Sequence, residues 1–244
     1  MRMLLLAGTA EAAQIARALA RETRVVATAS LARATPTPAA LGLPTRIGGW
    51  GGDEAFRLWL LREQIDAVLD ATHPFAATVS HRTAAICADE GVSYIQFLRR
   101  SWTPGGDDHW EFLNSERDAS RVVPPGARVL LATGQRRLEH FAGMVDRHLI
   151  VRVPYLPNTQ FPLADGRYLV RPAALSIAAE EALLHDLGVT WIVTRNSGGS
   201  ASFAKLEAAR RLGISVAMIR RPPQPESARI STVSEALAWV RRRL

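Results

Sequence analysis

The segment 8–13 has the pattern of a turn that binds a phosphate group. It reads Gly-Thr-Ala-Glu-Ala-Ala and lies between a short apolar run and an amphipathic run rich in alanine. Compared with the dinucleotide fingerprint G-x-G-x-x-G, the turn has small residues at all three critical positions, Gly8, Ala10 and Ala13. Such a turn lets a pyrophosphate approach the backbone, and the N–H groups at the start of the following helix would face the phosphates. Taken alone, the same residues fit an ordinary strand-to-helix connection in an alanine-rich chain equally well.

The segment 28–33, at the end of the next predicted strand, indicates which dinucleotide this turn would bind. A site for NAD places an acidic residue about 20 residues after the turn, where it holds the adenosine ribose. This segment reads Thr-Ala-Ser-Leu-Ala-Arg and contains no acid, so Ser30 and Arg33 favour a 2′-phosphate and therefore NADPH. Arg46, which comes just before Gly48, is a second candidate for the same phosphate. The alternative interpretation of Arg33 is a surface arginine in a loop that contains prolines.

Thr72 and His73 follow a further apolar run that predicts a strand. Ligands of open α/β sheets bind outside the carboxyl ends of the strands, so we expect both side chains beside the cofactor. A histidine there could donate a proton or orient a carboxylate of the substrate. The alternative is a structural, hydrogen-bonded histidine held in place by Pro74. The catalytic residues are therefore left unassigned, with His73 as the one candidate.

The loop 194–200, in the second half of the chain, predicts an anion-binding concavity. It reads Thr-Arg-Asn-Ser-Gly-Gly-Ser and opens a helix after a buried strand. Hydroxyl groups, an amide and backbone N–H groups would surround an anion there, and Arg195 adds positive charge. The segment 133–135, Thr-Gly-Gln, ends another strand of this half and would face the same cleft. The alternative for the loop is a flexible crossover that needs small residues for packing.

Several chemistries are excluded by residues that the chain lacks. Lys205 is the only lysine, and its surroundings lack the second glycine and the Ser/Thr of a P-loop. No Tyr-x-x-x-Lys pair exists, because none of the three tyrosines stands four residues before Lys205. This excludes the usual proton donor of short-chain dehydrogenases. The six histidines form no metal-binding pattern, and the single cysteine, Cys87, excludes an internal disulfide and a multi-cysteine metal site. We therefore expect no metal.

The basic residues raise the question of a polyanionic partner. The chain has 30 Lys and Arg, nearly all arginine, and a formal net charge of +7. Arginine suits carboxylate and phosphate groups, although codon bias of a GC-rich genome would produce the same composition. A nucleic-acid interaction through the arginines at 241–243 is a further alternative, which a solvated helix end explains more simply. No uncharged apolar stretch is long enough to span a membrane, and we expect a cytoplasmic protein.

The elements that must position these residues follow an alternating pattern. Short apolar runs alternate with amphipathic stretches, which is typical of parallel sheets with crossover helices. We predict an α/β fold with two doubly wound, mostly parallel-sheet, Rossmann-like domains and an interdomain cleft. Two breaks rich in Pro and Gly, at 103–108 and 124–126, place the boundary between a cofactor domain, 1–125, and a substrate domain, 126–244. The predicted strands are 4–7, 25–29, 45–47, 67–71, 94–98, 129–132, 149–153, 191–194 and 214–219, with helices between them, including one near 136–141.

The sequence resembles the precorrin-6A reductase family of cobalamin biosynthesis. Five segments spread over nearly the whole chain carry the resemblance. They are Leu-Ala-Gly-Thr-Ala-Glu-Ala at 6–12, Asp-Ala-Thr-His-Pro-Phe-Ala at 70–76, Leu-Ala-Thr-Gly at 131–134 with Phe141, Arg-Val-Pro at 152–154, and Val-Thr-Arg-Asn-Ser-Gly-Gly at 193–199, which continues through Lys-Leu-Glu-Ala-Ala at 205–209 to Ile-Arg-Arg-Pro at 219–222. Together they are far more specific than any single loop.

The resemblance implies an NADPH-dependent reduction of one double bond in precorrin-6A, which gives precorrin-6B. The substrate is then a tetrapyrrole that carries many carboxylates, and no metal is implied. The residues expected at the cofactor are Gly8, Thr9, Ala10, Glu11, Ser30, Arg33, Arg46, Gly48, Thr72 and His73. Those expected at the substrate are Thr133, Gly134, Gln135, Arg195, Ser197, Gly198 and Gly199.

Two alternatives stay open beside this interpretation. One is a reductase of the cobalt-containing precorrin of the anaerobic route, and the other is a non-catalytic protein that senses NADPH. The further expected partners are neighbouring enzymes of the pathway, and the expected state is a monomer or a small homo-oligomer. No nucleic-acid or membrane partner is expected.

Overall fold

The computed structural model describes residues 1–32, 41–172, 175–200 and 202–244, and within them twelve strands form two sheets. The strands are β1 (Arg2–Leu6), β2 (Val26–Leu31), β3 (Thr45–Ile47), β4 (Ala67–Asp70), β5 (Ser93–Phe97), β6 (Trp110–Leu113), β7 (Arg128–Leu131), β8 (His148–Val153), β9 (Gly166–Val170), β10 (Trp191–Arg195), β11 (Ser215–Ile219) and β12 (Arg229–Ile230). The helices are α1 (Ala10–Leu19), α2 (Asp53–Arg62), α3 (Ala77–Asp89), α4 (Ala119–Val122), α5 (Ile177–Asp186), α6 (Ala204–Arg211) and α7 (Val233–Arg241), with 3-10 turns at Glu116–Asp118 and Leu138–Phe141.

The first unit comprises Met1–Arg100 and Pro222–Leu244. Its six parallel strands lie in the order β3-β2-β1-β4-β5-β12. This is the order of doubly wound dinucleotide folds, with the switch point between β1 and β4. The central strands are apolar and buried, as expected of strands with helices on both faces, and α1 packs its buried face against α7.

The second unit comprises Ser101–Arg221 and repeats this arrangement. Its six parallel strands lie in the order β9-β8-β7-β10-β11-β6, so the switch point falls between β7 and β10. The strand in the sixth place comes from a different part of the chain in each of the two sheets. β6 precedes the other strands of its unit, whereas β12 follows the whole second unit.

The observed division differs from the boundary predicted at 125/126. The Pro/Gly-rich stretch at 103–108 leads into β6, which pairs with β11, and therefore belongs to the second unit. The last part of the chain returns to the first unit, because β12 pairs with β5 and α7 packs on α1. Pairing across such distances in sequence leaves no local compositional signal.

Most predicted elements are present, with a few differences. The strands β6, β9 and β12 were not predicted, and each lies at the edge of a sheet, where side chains are only half buried. The helix expected near 136–141 is a short 3-10 turn, since Arg137 has a positive φ of 64° and interrupts a regular helix. None of the helices in the described ranges is long and apolar enough to cross a membrane.

Candidate functional site

The turn after β1 lies at the switch point of the first sheet and is tied to the turn after β4. Thr9 caps α1, and its Oγ1 accepts a hydrogen bond from the N–H of Ala12 at 3.1 Å. The same hydroxyl donates to the carbonyl oxygen of Ala71 at 2.9 Å. Gly8 has φ of +136°, a conformation that side chains rarely adopt, and open space lies where a Cβ would stand. The turn therefore presents a bare backbone and the N-terminus of α1 at this edge.

Glu11, in the first turn of α1, has a partner within the protein. Its Oε2 accepts from Nη1 of Arg99 at 3.0 Å, and both side chains are mostly buried. A contribution of Glu11 to cofactor binding would therefore come from its backbone N–H, which as part of the first helical turn has no intrahelical acceptor.

Ser30 and Arg46 lie side by side at the ends of β2 and β3. They are register partners, and Nη1 of Arg46 donates to Oγ of Ser30 at 3.1 Å. The guanidinium also donates to the carbonyl oxygens of Gly48 and Gly49 and lies 3.6 Å from the ring centroid of Trp50. This network holds a positive charge at the predicted position. Arg33, the other arginine predicted there, lies outside the described residues.

Thr72 is held by Asp70, a buried carboxylate that the sequence analysis did not single out. Oδ1 of Asp70 accepts from the N–H and the hydroxyl of Thr72, at 3.0 and 2.7 Å, and Oδ2 accepts from the hydroxyl of Tyr94 at 2.8 Å. Burial and then the nearby Asp70 charge raise the pKa of Tyr94, and they raise the pKa of the Cys87 thiol to about 12. Tyr94 and Cys87 are therefore neutral, and the Asp70 carboxylate fixes the backbone and side chain of Thr72 beside the switch point.

His73 is oriented by the backbone of its own loop. Its Nδ1 accepts the N–H of Phe75 at 3.2 Å, and the two rings lie 5.8 Å apart. Since Nδ1 is an acceptor, the neutral imidazole carries its proton on Nε2. The structural alternative for His73 thus accounts for the orientation of its ring.

Thr133, Gly134 and Gln135 follow β7 at the switch point of the second sheet. Oγ1 of Thr133 and Oε1 of Gln135 are buried and have no hydrogen-bond partner within the described part of the chain. Gly134 has φ of +78°, which favours glycine. Buried polar atoms without partners are costly, so a polar group of a ligand would be stabilised at these two atoms.

The loop after β10 is shaped by a partner almost a hundred residues earlier in the chain. Asn196 is buried; its side chain accepts from the N–H of Trp102 and donates to the carbonyl oxygen of Trp102, each at 2.8 Å. The indole N–H of Trp102 donates to the carbonyl oxygen of Gly199 at 2.8 Å. Gly198 and Gly199 have φ of 67° and 76°, so the loop depends on glycine at both positions. The sequence analysis missed Trp102, because no local pattern signals such a contact.

Arg195, predicted to bind an anion, forms an ion pair with Glu116. Nε and Nη2 of Arg195 donate to Oε1 of Glu116 at 3.1 and 2.7 Å. Burial alone raises the pKa of Glu116, but the hydrogen bond from Arg195, a backbone hydrogen bond and the charges of Arg195 and Arg137 together hold the pKa below its usual value. We predicted that Arg195 adds positive charge to the anion-binding loop, and the structure places a carboxylate beside that charge.

A second set of charges is buried in the second unit. Arg152 and Glu180 form a bidentate pair with two bonds of 2.7 Å, and both side chains are nearly inaccessible. Lys205 is buried close by and donates to the carbonyl oxygen of Ser202 at 2.7 Å. Burial and then the charge of Arg152 lower the pKa of Lys205 to about 8. Of these residues, Lys205 contacts the segment that follows β10.

Two parallel sheets in dinucleotide-fold order, with small-residue turns and polar side chains at both switch points, define a Rossmann-like α/β protein. Within the described ranges, no group of three or more His, Cys, Asp or Glu could hold a metal ion. The chain belongs to the family described as Precorrin-6x reductase CbiJ/CobK, whose family model matches residues 2–241. This family is enzymatic, and the chain is an oxidoreductase. The predicted family and the predicted α/β fold are confirmed.

Comparison with individual proteins agrees with this membership. The chain is 40% identical over 243 residues to a Precorrin-6A reductase of Mycobacterium tuberculosis, which covers 98% of this chain and 97% of the relative. It is 37% identical over 240 residues to a Precorrin-6A reductase of Rhodobacter capsulatus, which covers 98% and 95%. A solved structure described as CobK precorrin-6A reductase superposes with a TM-score of 0.92 at 36% identity and covers 99% of this chain and 96% of that one.

Proposed function

We propose that this chain reduces one double bond of precorrin-6A, with NADPH as the reductant, and so forms precorrin-6B. The observation that carries the proposal is the 40% identity, over 98% of the chain, to a protein named Precorrin-6A reductase. Both relatives compared above carry the name of the metal-free substrate, which favours it over the cobalt-containing analogue.

The residues of the first unit fit NADPH. Gly8 leaves room for a close approach to the backbone, and the N-terminus of α1 suits a pyrophosphate. Arg46 places a positive charge against Ser30 where an NAD site would have an acid, and this suits a 2′-phosphate. We assign Gly8, Thr9, Ala10, Glu11, Ser30, Arg46, Gly48, Thr72 and His73 to this site, with Arg33 as the residue that sequence reasoning adds. When bound, NADPH supplies a hydride.

Thr72 and His73 would lie at the nicotinamide end of this site. Asp70 fixes Thr72, and the N–H of Phe75 fixes the ring of His73, so neither side chain needs to be ordered when ligands bind. In this arrangement His73 would orient a substrate carboxylate. The proton that must reach the macrocycle is left without an assigned donor.

The second unit would hold the macrocycle by its acetate and propionate groups. We assign to it Thr133, Gly134, Gln135, Arg195, Ser197, Gly198 and Gly199. The buried Oγ1 of Thr133 would donate to a carboxylate, and the glycine-rich loop would offer backbone N–H groups. Because a conjugated imine system is already electrophilic, orientation and exclusion of water would account for most of the rate enhancement.

The test is anaerobic turnover of purified protein with metal-free precorrin-6A, followed by NADPH absorbance and by the macrocycle spectrum. We expect stoichiometric loss of NADPH and formation of the reduced macrocycle, with NADH much less effective. If only the cobalt-loaded macrocycle is turned over, the substrate is the cobalt-containing analogue and not precorrin-6A. Binding of NADPH without oxidation by either macrocycle would overturn the enzymatic proposal in favour of a sensor. The cytoplasmic location and the oligomeric state stay predictions from the sequence.

A further inference from the structure

Glu116 is a buried carboxylate to which the proposed function assigns no role. Only 7% of its side chain is exposed, and its Oε1 accepts both hydrogen bonds from Arg195. Its other oxygen, Oε2, lies 3.8 Å from Nδ1 of His140, in the 3-10 turn that follows β7. One carboxylate therefore contacts the last residue of β10 and the turn that follows β7, and these two strands flank the switch point of the second sheet.

The edge strand β6 delivers Glu116 to this place. Leu113 at the end of β6 is in register with Ile219 of β11, which is in register with Arg195 of β10. Glu116 comes three residues after Leu113, in a turn fixed by a capping box in which Ser115 and Asp118 bond to each other. The sheet thus brings Glu116 and Arg195 to the edge formed by the C-terminal ends of the strands. The two residues are connected through the pairing of β6 with β11 and of β11 with β10.

The pair keeps its charges and has a defined geometry. Burial raises the pKa of Glu116, but the hydrogen bond and charge of Arg195, together with the charge of Arg137, hold it below its usual value. The carboxylate is consequently ionised at neutral pH. A planar guanidinium that donates through Nε and Nη2 to one acceptor cannot rotate freely about its last side-chain bonds.

We propose that Glu116 is a positioning residue for Arg195. By holding the Nε–Nη2 edge, it fixes the plane of the guanidinium. Leu131 and Val193 are register partners, and Thr133 and Arg195 each come two residues later, at the carboxyl ends of these neighbouring strands. The oriented guanidinium then meets one carboxylate of the tetrapyrrole. This inference rests on the proposed function, because it assigns the ligand of Arg195 from the proposed substrate.

Steady-state kinetics of four variants test the proposal: E116A, E116Q, R195A and the double variant E116A/R195A. We expect E116A and R195A each to raise the KM for precorrin-6A about tenfold, the size expected for one lost charge-assisted hydrogen bond, and to leave the KM for NADPH unchanged. E116Q keeps an acceptor oxygen for Arg195 and should retain the wild-type KM for precorrin-6A. The double variant should match R195A, since Glu116 acts through Arg195. E111Q, an exposed residue of β6, is the matched control.

Two results would overturn the proposal. In the first, E116A lowers the thermal midpoint but leaves the KM for precorrin-6A unchanged, as a purely structural ion pair would. In the second, the effects of the two single substitutions multiply in the double variant.

Quenching of tryptophan fluorescence by precorrin-6A gives a dissociation constant that is independent of turnover. If the wild type binds the macrocycle but does not reduce it, the proposed function fails, and the dissociation constants of the variants still decide the role of Glu116. If the wild type neither binds nor reduces it, both proposals are overturned.

Discussion

Nη1 of Arg46 donates a hydrogen bond of 3.1 Å to Oγ of Ser30 and so joins the ends of two neighbouring strands of the first sheet. The same guanidinium donates to Gly48 and Gly49 and lies over the ring of Trp50. Burial lowers the pKa of Arg46, yet a guanidinium is so strongly basic that the side chain stays charged at neutral pH. A serine and an arginine that the sequence analysis picked out separately thus form one positively charged unit.

The first prediction concerns the choice between NADPH and NADH. Arg46→Ala removes a charge-assisted contact to the 2′-phosphate, worth about 1.5–3 kcal/mol, and should raise the KM for NADPH about 10- to 100-fold. The KM for NADH should not change, because NADH lacks that phosphate. Arg24→Ala, an exposed arginine that pairs with Glu22, is the control. An equal loss of affinity for both cofactors would contradict the assignment. Arg33→Ala is expected to behave like Arg46→Ala.

The second prediction concerns the hydroxyl of Thr9, which caps α1 and bonds to Ala71. Thr9→Ala should lower the free energy of unfolding by about 1 kcal/mol, as expected for a lost N-cap, and weaken NADPH binding. Thr9→Ser keeps the hydroxyl and should retain both properties, as measured by urea denaturation and by cofactor titration. Equal losses in the two variants would show that the methyl group of Thr9, and not its hydroxyl, is what matters.

The third prediction concerns the buried pair of Arg152 and Glu180. Glu180→Leu should lower the free energy of unfolding by about 3–5 kcal/mol, because it leaves Arg152 without its counter-charge in the interior. Arg152→Met combined with Glu180→Leu should cost less than Glu180→Leu alone, since no unpaired member of the pair is left. Denaturant unfolding of the three proteins measures this, and a double variant less stable than the single one would refute it.

The fourth prediction concerns the pH dependence of stability through Lys205. The pKa of this side chain falls from 10.5 to about 8 in the folded protein, so between these values the unfolded chain binds more protons. The stability of the wild type relative to Lys205→Met should therefore rise from about pH 8 to about pH 10.5, by at most about 3 kcal/mol. Urea unfolding of both proteins across this window tests the sign. A constant difference would mean that Lys205 titrates alike in both states.

Local patterns sufficed for much of the fold and for one side of the candidate site. β3 has the predicted bounds, and Ser30 and Arg46 could both be proposed for the same phosphate because each comes at the end of a predicted strand. The strands that were missed lie at sheet edges, where half-exposed residues lack a continuous apolar run. The partner of Arg195 could not be predicted, because Glu116 follows one of those missed strands, 79 residues away in sequence.

The sequence by itself determined the succession of buried strands and amphipathic helices, the family, and the small-residue turns at both switch points. These properties follow from periodicity and residue size, which act over a few neighbouring residues. Only the tertiary structure decided the return of the C-terminal segment to the first sheet, the contacts of Trp102 with Asn196, and the ion pair of Arg195 with Glu116. Each of these depends on strand order, which brings distant residues to one edge of a sheet and leaves no trace in local composition.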